Sequence, residues 1–330
     1  MPAPHGRDLD ATRSCLESWF AGKLPSAQDL RVSGLVGPGN TGFSNDTLMF
    51  DLEWREGSAQ RRQPLVARIK PTGFQVFPEY DLGRQFRIQS LLGETDVPVA
   101  RMFWEEASDS VLGAPFYVME RVEGRIPTDN PPYHVGGWVS EIPEEERRAL
   151  WWSGLDVLTR IQRLDWKALG LAFLERPEPG ETLLDRDLAY YEGYLDWAWG
   201  RYQKHHPVCT PALAWLRANR PAEPEPTVLS WGDARIGNMI FRDSRCVAVL
   251  DWEMATLGSP EMDFGWWLFL DHHHSAGLGA PRLPGFPGRE ETIERYEQQT
   301  GHRCRNLDYY ERLAAFKFSV IGSKLGPPVH

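Results

Sequence analysis

Cysteine is scarce in this chain, and the four that occur, Cys15, Cys209, Cys246 and Cys304, stand far apart with no Cys-x-x-Cys pair. That spacing argues against a disulfide framework and against a cysteine-based structural zinc site. Long apolar runs are also missing. The longest, Phe264 to Leu270, falls far short of the roughly 20 residues that span a bilayer. Basic excess is absent too: 36 Lys and Arg against 46 Asp and Glu leave a formal net charge of −10. This argues against a nucleic-acid or anionic-membrane partner. It suits a cationic substrate, and equally plain solubility. The opening Met-Pro-Ala-Pro-His-Gly-Arg-Asp lacks a charged-then-apolar leader, so a cytoplasmic protein is expected. Neither internal repeats nor low-complexity tracts occur.

What is present is ordinary globular material. The 330 residues, 42% apolar and 25% charged, suffice for one large domain or two lobes, each with its own core. The 14 tryptophans are scattered and read as packing residues. His272-His273-His274 invites a metal reading. Adjacent side chains on a helix diverge, however, so an exposed polar helix end is expected.

The chemistry concentrates in Trp231-Gly232-Asp233-Ala234-Arg235-Ile236-Gly237-Asn238, followed by Val249-Leu250-Asp251-Trp252-Glu253. Phosphoryl transfer from ATP needs a carboxylate to orient the attacking hydroxyl and oxygen ligands to hold Mg²⁺ against the phosphates. Asp233 can be the first; Asn238 and Asp251 can be the second. Between them, Met239 to Phe241 and Cys246 to Leu250 read as short strands around the polar turn Arg242-Asp243-Ser244-Arg245. Such a hairpin would return Asp251 to the side of Asn238.

Upstream, residues 11–22 carry Leu16, Trp19 and Phe20 at helical spacing. Gly37-Pro38-Gly39-Asn40-Thr41-Gly42 then matches G-x-G-x-x-G. A dinucleotide-binding fingerprint must open a helix after its glycines. Here Leu48, Phe50, Leu52 and Trp54 alternate, which is a strand. A glycine-rich loop over ATP phosphates fits that context, and so does a plain hairpin turn. The next strand, Pro64 to Lys70, ends with Arg68 and Lys70 on one face, where either could hold the non-transferred phosphates. A helix over 79–92 and a segment at 97–104 precede Pro115 to Gly124, a strand that ends in a connector. The stretch 40–130 therefore reads as a small, mostly β lobe.

Beyond a Pro- and Gly-bearing linker the pattern turns helical: 141–164, 183–205, 211–218, 290–300 and 308–322. Ser259 and Pro260 are the expected N-cap and first residue of another helix. Asp263 in its first turn can cap that helix or brace the catalytic segment.

In this order, the pieces resemble the aminoglycoside phosphotransferase family, which has a bilobed protein-kinase-like fold. The likeness looks closest to bacterial members related to the kinase-like domain attached to some acyl-CoA dehydrogenases. Gly-Phe-Ser-Asn (42–45), Val-Ala-Arg (66–68), Val-Met-Glu-Arg-Val-Glu-Gly (118–124), the segments at 231–238 and 249–253, and Gly-Ser-Pro-Glu-Met-Asp (258–263) carry it. The resemblance implies an α+β fold. Residues 1–124 would form an N-lobe with a small antiparallel sheet, one helix and a glycine-rich loop at 37–45. Residues 125–330 would form a larger, mostly helical C-lobe. It implies ATP and Mg²⁺ as cofactors, Asp233 as the catalytic carboxylate, and Asn238 and Asp251 as metal ligands. Gly42, Phe43, Ser44, Asn45 and Arg68 would contact phosphates; Glu120 and Val122 backbone groups would hold adenine, with Met119 lining the pocket. Two departures stand out: Trp231 replaces the family's usual His, and Gln85 stands where the partner of the phosphate-binding cation is commonly Glu.

The expected activity is phosphoryl transfer to a hydroxyl of a small molecule. Monomer and dimer both stay open. An aminoglycoside acceptor would need carboxylates such as Asp187, Asp196, Glu253, Glu261 and Asp271. An acyl-type acceptor would instead use basic and aromatic groups such as Arg186, Arg201, Arg235, Trp197, Trp199, Trp266 and Trp267, and the aromatic richness favours it. The rival expectation is a nucleotide-binding regulatory module with weak or no catalysis.

Overall fold

The computed structural model describes residues 7–37, 46–200, 205–222 and 225–325. Gly42, Phe43, Ser44 and Asn45, named above as phosphate contacts, lie outside the described residues, as does Arg201. The chain separates into two compact units, one of residues 1–94 and 100–122 and the other of 95–99 and 123–330.

In the first unit, helix α1 (Leu9–Lys23) precedes strands β1 (Gln28–Val36), β2 (Asp46–Glu56) and β3 (Ala59–Ile69); α2 (Leu82–Leu92), β4 (Met102–Glu106) and β5 (Phe116–Glu120) follow. The strands form one antiparallel sheet in the order β1-β2-β3-β5-β4. Alternation along β3 decides its two faces. Leu65, Ala67 and Ile69 join Phe50, Phe116 and Val118 under Leu16 and Phe20 of α1. Val66 turns the other way, with Tyr117 and Met119, to meet Leu82 and Phe86 of α2. Asp81 caps α2 by accepting from the Arg84 amide. The segment 97–104 pairs only from Met102, and residues 95–99 belong to the second unit.

The second unit carries α3 (Trp138–Glu141), α4 (Glu144–Arg163), α5 (Leu183–Trp199), α6 (Cys209–Ala218), β6 (Val228–Ser230), β7 (Met239–Arg242), β8 (Arg245–Val249), β9 (Thr256–Gly258), α7 (Pro260–His273), α8 (Arg289–Thr300) and α9 (Leu307–Leu325). The helix expected over 141–164 begins at Glu144, and the short α3 ends at Glu141. Ile142 is extended ahead of Pro143, the conformation that proline's ring imposes on the residue before it. Two two-stranded ribbons frame the turn at 231–238: β6 pairs with β9, and β7 with β8. Asp243 and Ser244 both have positive φ, 49° and 58°, the twist that suits a two-residue hairpin loop.

His272 is exposed as expected, but His274 is buried. It ends α7 with its ring edge-on to Tyr133, and burial pushes its pKa down to about 4. No helix of the described residues is long and apolar enough to cross a membrane.

Candidate active site

The backbone brings Asp233, Asn238 and Asp251 together. The turn between β6 and β7 places Asp233 and Asn238 side by side, and Asn238 Nδ2 donates to Asp233 Oδ2 at 2.6 Å. The hairpin then returns the chain: the Leu250 amide donates to the Asn238 carbonyl at 2.8 Å, so Asp251 follows directly beside Asn238. Asp251 adopts φ 54° and ψ 67°. A non-glycine residue there costs of order 1–3 kcal/mol, and such strain clusters at functional sites.

Asp233 is held from three sides. Its Oδ1 accepts from Trp266 Nε1 at 2.8 Å, and Arg235 Nε reaches both oxygens at 3.1 and 3.2 Å. With Asn238 donating its amide N–H, its own carbonyl oxygen is left to serve as a ligand. An amide oxygen and a carboxylate are the hard oxygen donors that suit Mg²⁺, which binds through one or two protein oxygens and the phosphates themselves. Among the described residues, no three His, Cys, Asp or Glu side chains converge to make an all-protein metal cage.

Asp263 braces the segment from behind, and Ser259 caps α7. Asp263 Oδ1 accepts from Ser230 Oγ at 2.8 Å and the Gly232 amide at 2.9 Å, while Oδ2 accepts from the Trp231 amide at 2.6 Å. Burial raises its pKa against these three donors. Ser259 accepts from the Glu261 amide. Trp231, in the family's usual histidine position, is fully buried and donates Nε1 to the Leu250 carbonyl at 2.8 Å. The indole therefore ties the catalytic turn to the residue ahead of Asp251. A proton carrier is not needed for that task.

Gly232 is a close-approach glycine. Its φ is +95°, and a Cβ would lie 2.6 Å from the Met254 carbonyl carbon. Gly232→Ala should cost upwards of about 1–3 kcal/mol from the backbone alone. Thermal unfolding should show the lowered midpoint; an unchanged one would contradict this account.

In the first unit, Arg68 lies on β3 opposite Tyr117 of β5. Tyr117 OH donates to Gln85 Oε1 at 3.3 Å and accepts from Gln89 Nε2 at 3.4 Å. Gln85 is thus bound into a buried hydrogen-bond network. Asp81 is occupied as the cap of α2. The Glu120 amide donates to the Arg101 carbonyl at 2.8 Å. Met119 is buried and cross-strand from Val66, which faces Met49.

Two participants carry no signal in the motif. Asp129, 106 residues from Arg235, pairs with its Nη1; no local pattern marks it. Trp266 was legible in principle, since it lies one helical turn after Asp263 and so shares its face.

A sequence profile described as the phosphotransferase enzyme family (APH) matches residues 40–315. The mouse (Mus musculus) acyl-CoA dehydrogenase family member 11 is 29% identical over 321 residues; these cover 93% of this chain and 38% of that protein. The chain thus spans well under half the length of this curated relative. A solved structure from Ralstonia eutropha, described as an aminoglycoside phosphotransferase, superposes with a TM-score of 0.68 at 26% identity, covering 94% of this chain and 88% of that one. The aminoglycoside phosphotransferase APH(4)-Ia, solved with ADP and hygromycin B, shares the fold at 15% identity and TM-score 0.56, covering 94% and 99%.

Proposed function

The chain belongs to the phosphotransferase enzyme family, and on that premise we propose that it transfers the γ-phosphoryl group of ATP, with Mg²⁺, to a hydroxyl of a small molecule. The α+β kinase-like fold supports small-molecule phosphotransfer in general. The observation that carries the finer reading is that the β7–β8 hairpin returns Asp251, in a left-handed backbone conformation, beside the turn that pairs Asn238 with Asp233. Asp233 orients the acceptor hydroxyl and takes its proton. Asn238 and Asp251 hold the metal, which when bound neutralises and aligns the phosphates. In the first unit, Arg68 is assigned to the non-transferred phosphates. The Glu120 carbonyl and the Val122 amide are assigned to adenine, and Met119 to the pocket wall. Gly42, Phe43, Ser44 and Asn45 keep their phosphate role as part of the same proposal. ATP as substrate and four free cysteines suit the cytoplasm.

An acyl-type hydroxyl acceptor is favoured over an aminoglycoside. Three of the five carboxylates that ammonium groups would need are engaged internally. Asp187 pairs with Arg176 and Lys317, Asp271 with His134 and Arg282, and Glu261 accepts from His302 Nε2 and two backbone amides. Their burial leaves them no face for a ligand.

The test is thermal shift with Mg-ATP followed by ATP consumption over a panel that pairs hydroxyacyl compounds with aminoglycosides. Stabilisation by Mg-ATP and turnover on the hydroxyacyl arm are expected. Absence of nucleotide binding would refute the assignment; turnover confined to the aminoglycoside arm would refute the acceptor class.

A further inference from the structure

The catalytic turn contains a cation whose arrangement exceeds what a brace requires. Arg235 sends Nε–H to both oxygens of Asp233, at 3.1 and 3.2 Å, and Nη1 to Asp129 Oδ2. A guanidinium carries five N–H groups in a rigid fork. These bonds engage two of them, and among the described residues the other three meet no protein acceptor. The side chain is 19% exposed, so the open edge of the fork is reachable.

Its charge is permanent. Burial opposes it, but Asp233, Asp129 and Asp251 more than compensate and raise its pKa further. The contribution of Asp251 puts the guanidinium within the field of the proposed metal ligand as well as that of Asp233. Gly237 also belongs to this arrangement. A Cβ there would strike both Arg235 Nη1 and Asp129 Oδ1, so only glycine lets the fork lie across the turn.

On the reading of this site as an ATP-dependent phosphotransferase, we propose that Arg235 is a further catalytic residue. Its open N–H groups bind the oxygens of the γ-phosphoryl group in flight, and Asp129 is the positioning residue that aims it. In the step, the acceptor oxygen forms a bond to the γ-phosphorus while the bond from that phosphorus to the β–γ bridging oxygen breaks. The hydroxyl proton passes to Asp233, and the bonding pair leaves with ADP. The charge in flight is spread over the equatorial oxygens, between two carboxylates that would repel it. A planar, bidentate cation held at that point offsets the repulsion without reorganising. An arginine supplied in cis does the same work in other phosphoryl-transfer enzymes.

The test compares ADP-Mg affinity with and without aluminium fluoride, a mimic of the phosphoryl group in flight, by titration calorimetry on the full chain. Wild type should bind ADP at least roughly tenfold more tightly with the fluoride, since transition-state mimics gain on that scale or more. Arg235→Met should abolish the gain and leave the affinity for ADP alone within about twofold. A residue with only a structural role would shift both affinities. Asp129→Asn keeps the cation but unhooks it, and should reduce the gain while circular dichroism stays that of wild type. If Arg235→Met fails to fold, the Asn variant decides alone. An undiminished gain in the folded variants, or no gain in a wild type that binds ADP, overturns the role of Arg235. A wild type that binds no ADP sinks the phosphotransferase reading, and this inference with it.

Discussion

Asp233→Ala should lower turnover on the best acceptor by about 10²–10⁴-fold, the range for removing a positioned acid–base group. Nucleotide affinity should stay nearly unchanged, because Asp233 is assigned to the hydroxyl and not to ATP. The structure adds a second expected effect. The carboxylate gathers Trp266 Nε1, Arg235 Nε and Asn238 Nδ2. Removing it leaves Trp266 Nε1 and Arg235 Nε without that acceptor, while Asn238 Nδ2 keeps the Asp233 backbone carbonyl, and an unsatisfied buried donor costs about 1–3 kcal/mol. The variant should therefore melt slightly lower and still bind Mg-ATP. Calorimetric titration with Mg-ATP and steady-state ATP consumption separate the two effects. Wild-type turnover in Asp233→Ala would remove Asp233 from the mechanism.

Asp187→Ala is expected to be the most damaging substitution for stability. Asp187 is 1% exposed, with Arg176 Nε at 2.8 Å and Lys317 Nζ at 3.4 Å. Both cations are buried as well. Truncating the carboxylate leaves two positive charges in an apolar surround of Tyr190, Tyr191 and Trp266. Breaking a buried ion pair from one side costs about 3–5 kcal/mol, which lowers the thermal midpoint by roughly 5–15 °C. A midpoint within about 2 °C of wild type would contradict the ion-pair account. The same group contributes to acid sensitivity. Burial pushes its pKa up, but Lys317 and Arg176 outweigh that and leave it below the ordinary aspartate value. A depressed folded pKa gives stability that is present above the unfolded value near 3.9 and lost as pH falls through the folded one.

Much of the local architecture was legible along the chain, because the interactions that decide it are short-range. Alternation at Leu48, Phe50, Leu52 and Trp54 marks β2, and the polar turn at Asp243-Ser244 marks the β7–β8 hairpin that returns Asp251 to Asn238. Ser259 and Pro260 mark the start of α7. In each case the deciding groups lie within a turn or a hairpin of one another. The break at Pro143 was legible too, from the restriction proline places on Ile142. The apolar positions that mark the helix, from Leu150 on, all lie beyond it.

The site's wider surroundings were not legible. Asp263 had two open readings, because a carboxylate in a helix's first turn can cap its own amides or accept from another segment; only the packing of α7 behind β6 directs it to Trp231 and Gly232. Asp187, Glu261 and Asp271 looked like ligand-facing carboxylates. Helix packing instead surrounds each with internal donors. By itself, then, the sequence determined the order of elements and the residue types at the catalytic turn, through periodicity and turn chemistry. The tertiary structure alone decided which charges meet. Asp129 and Arg235 are 106 residues apart, and no backbone rule relates side chains at that separation until the chain has packed them together.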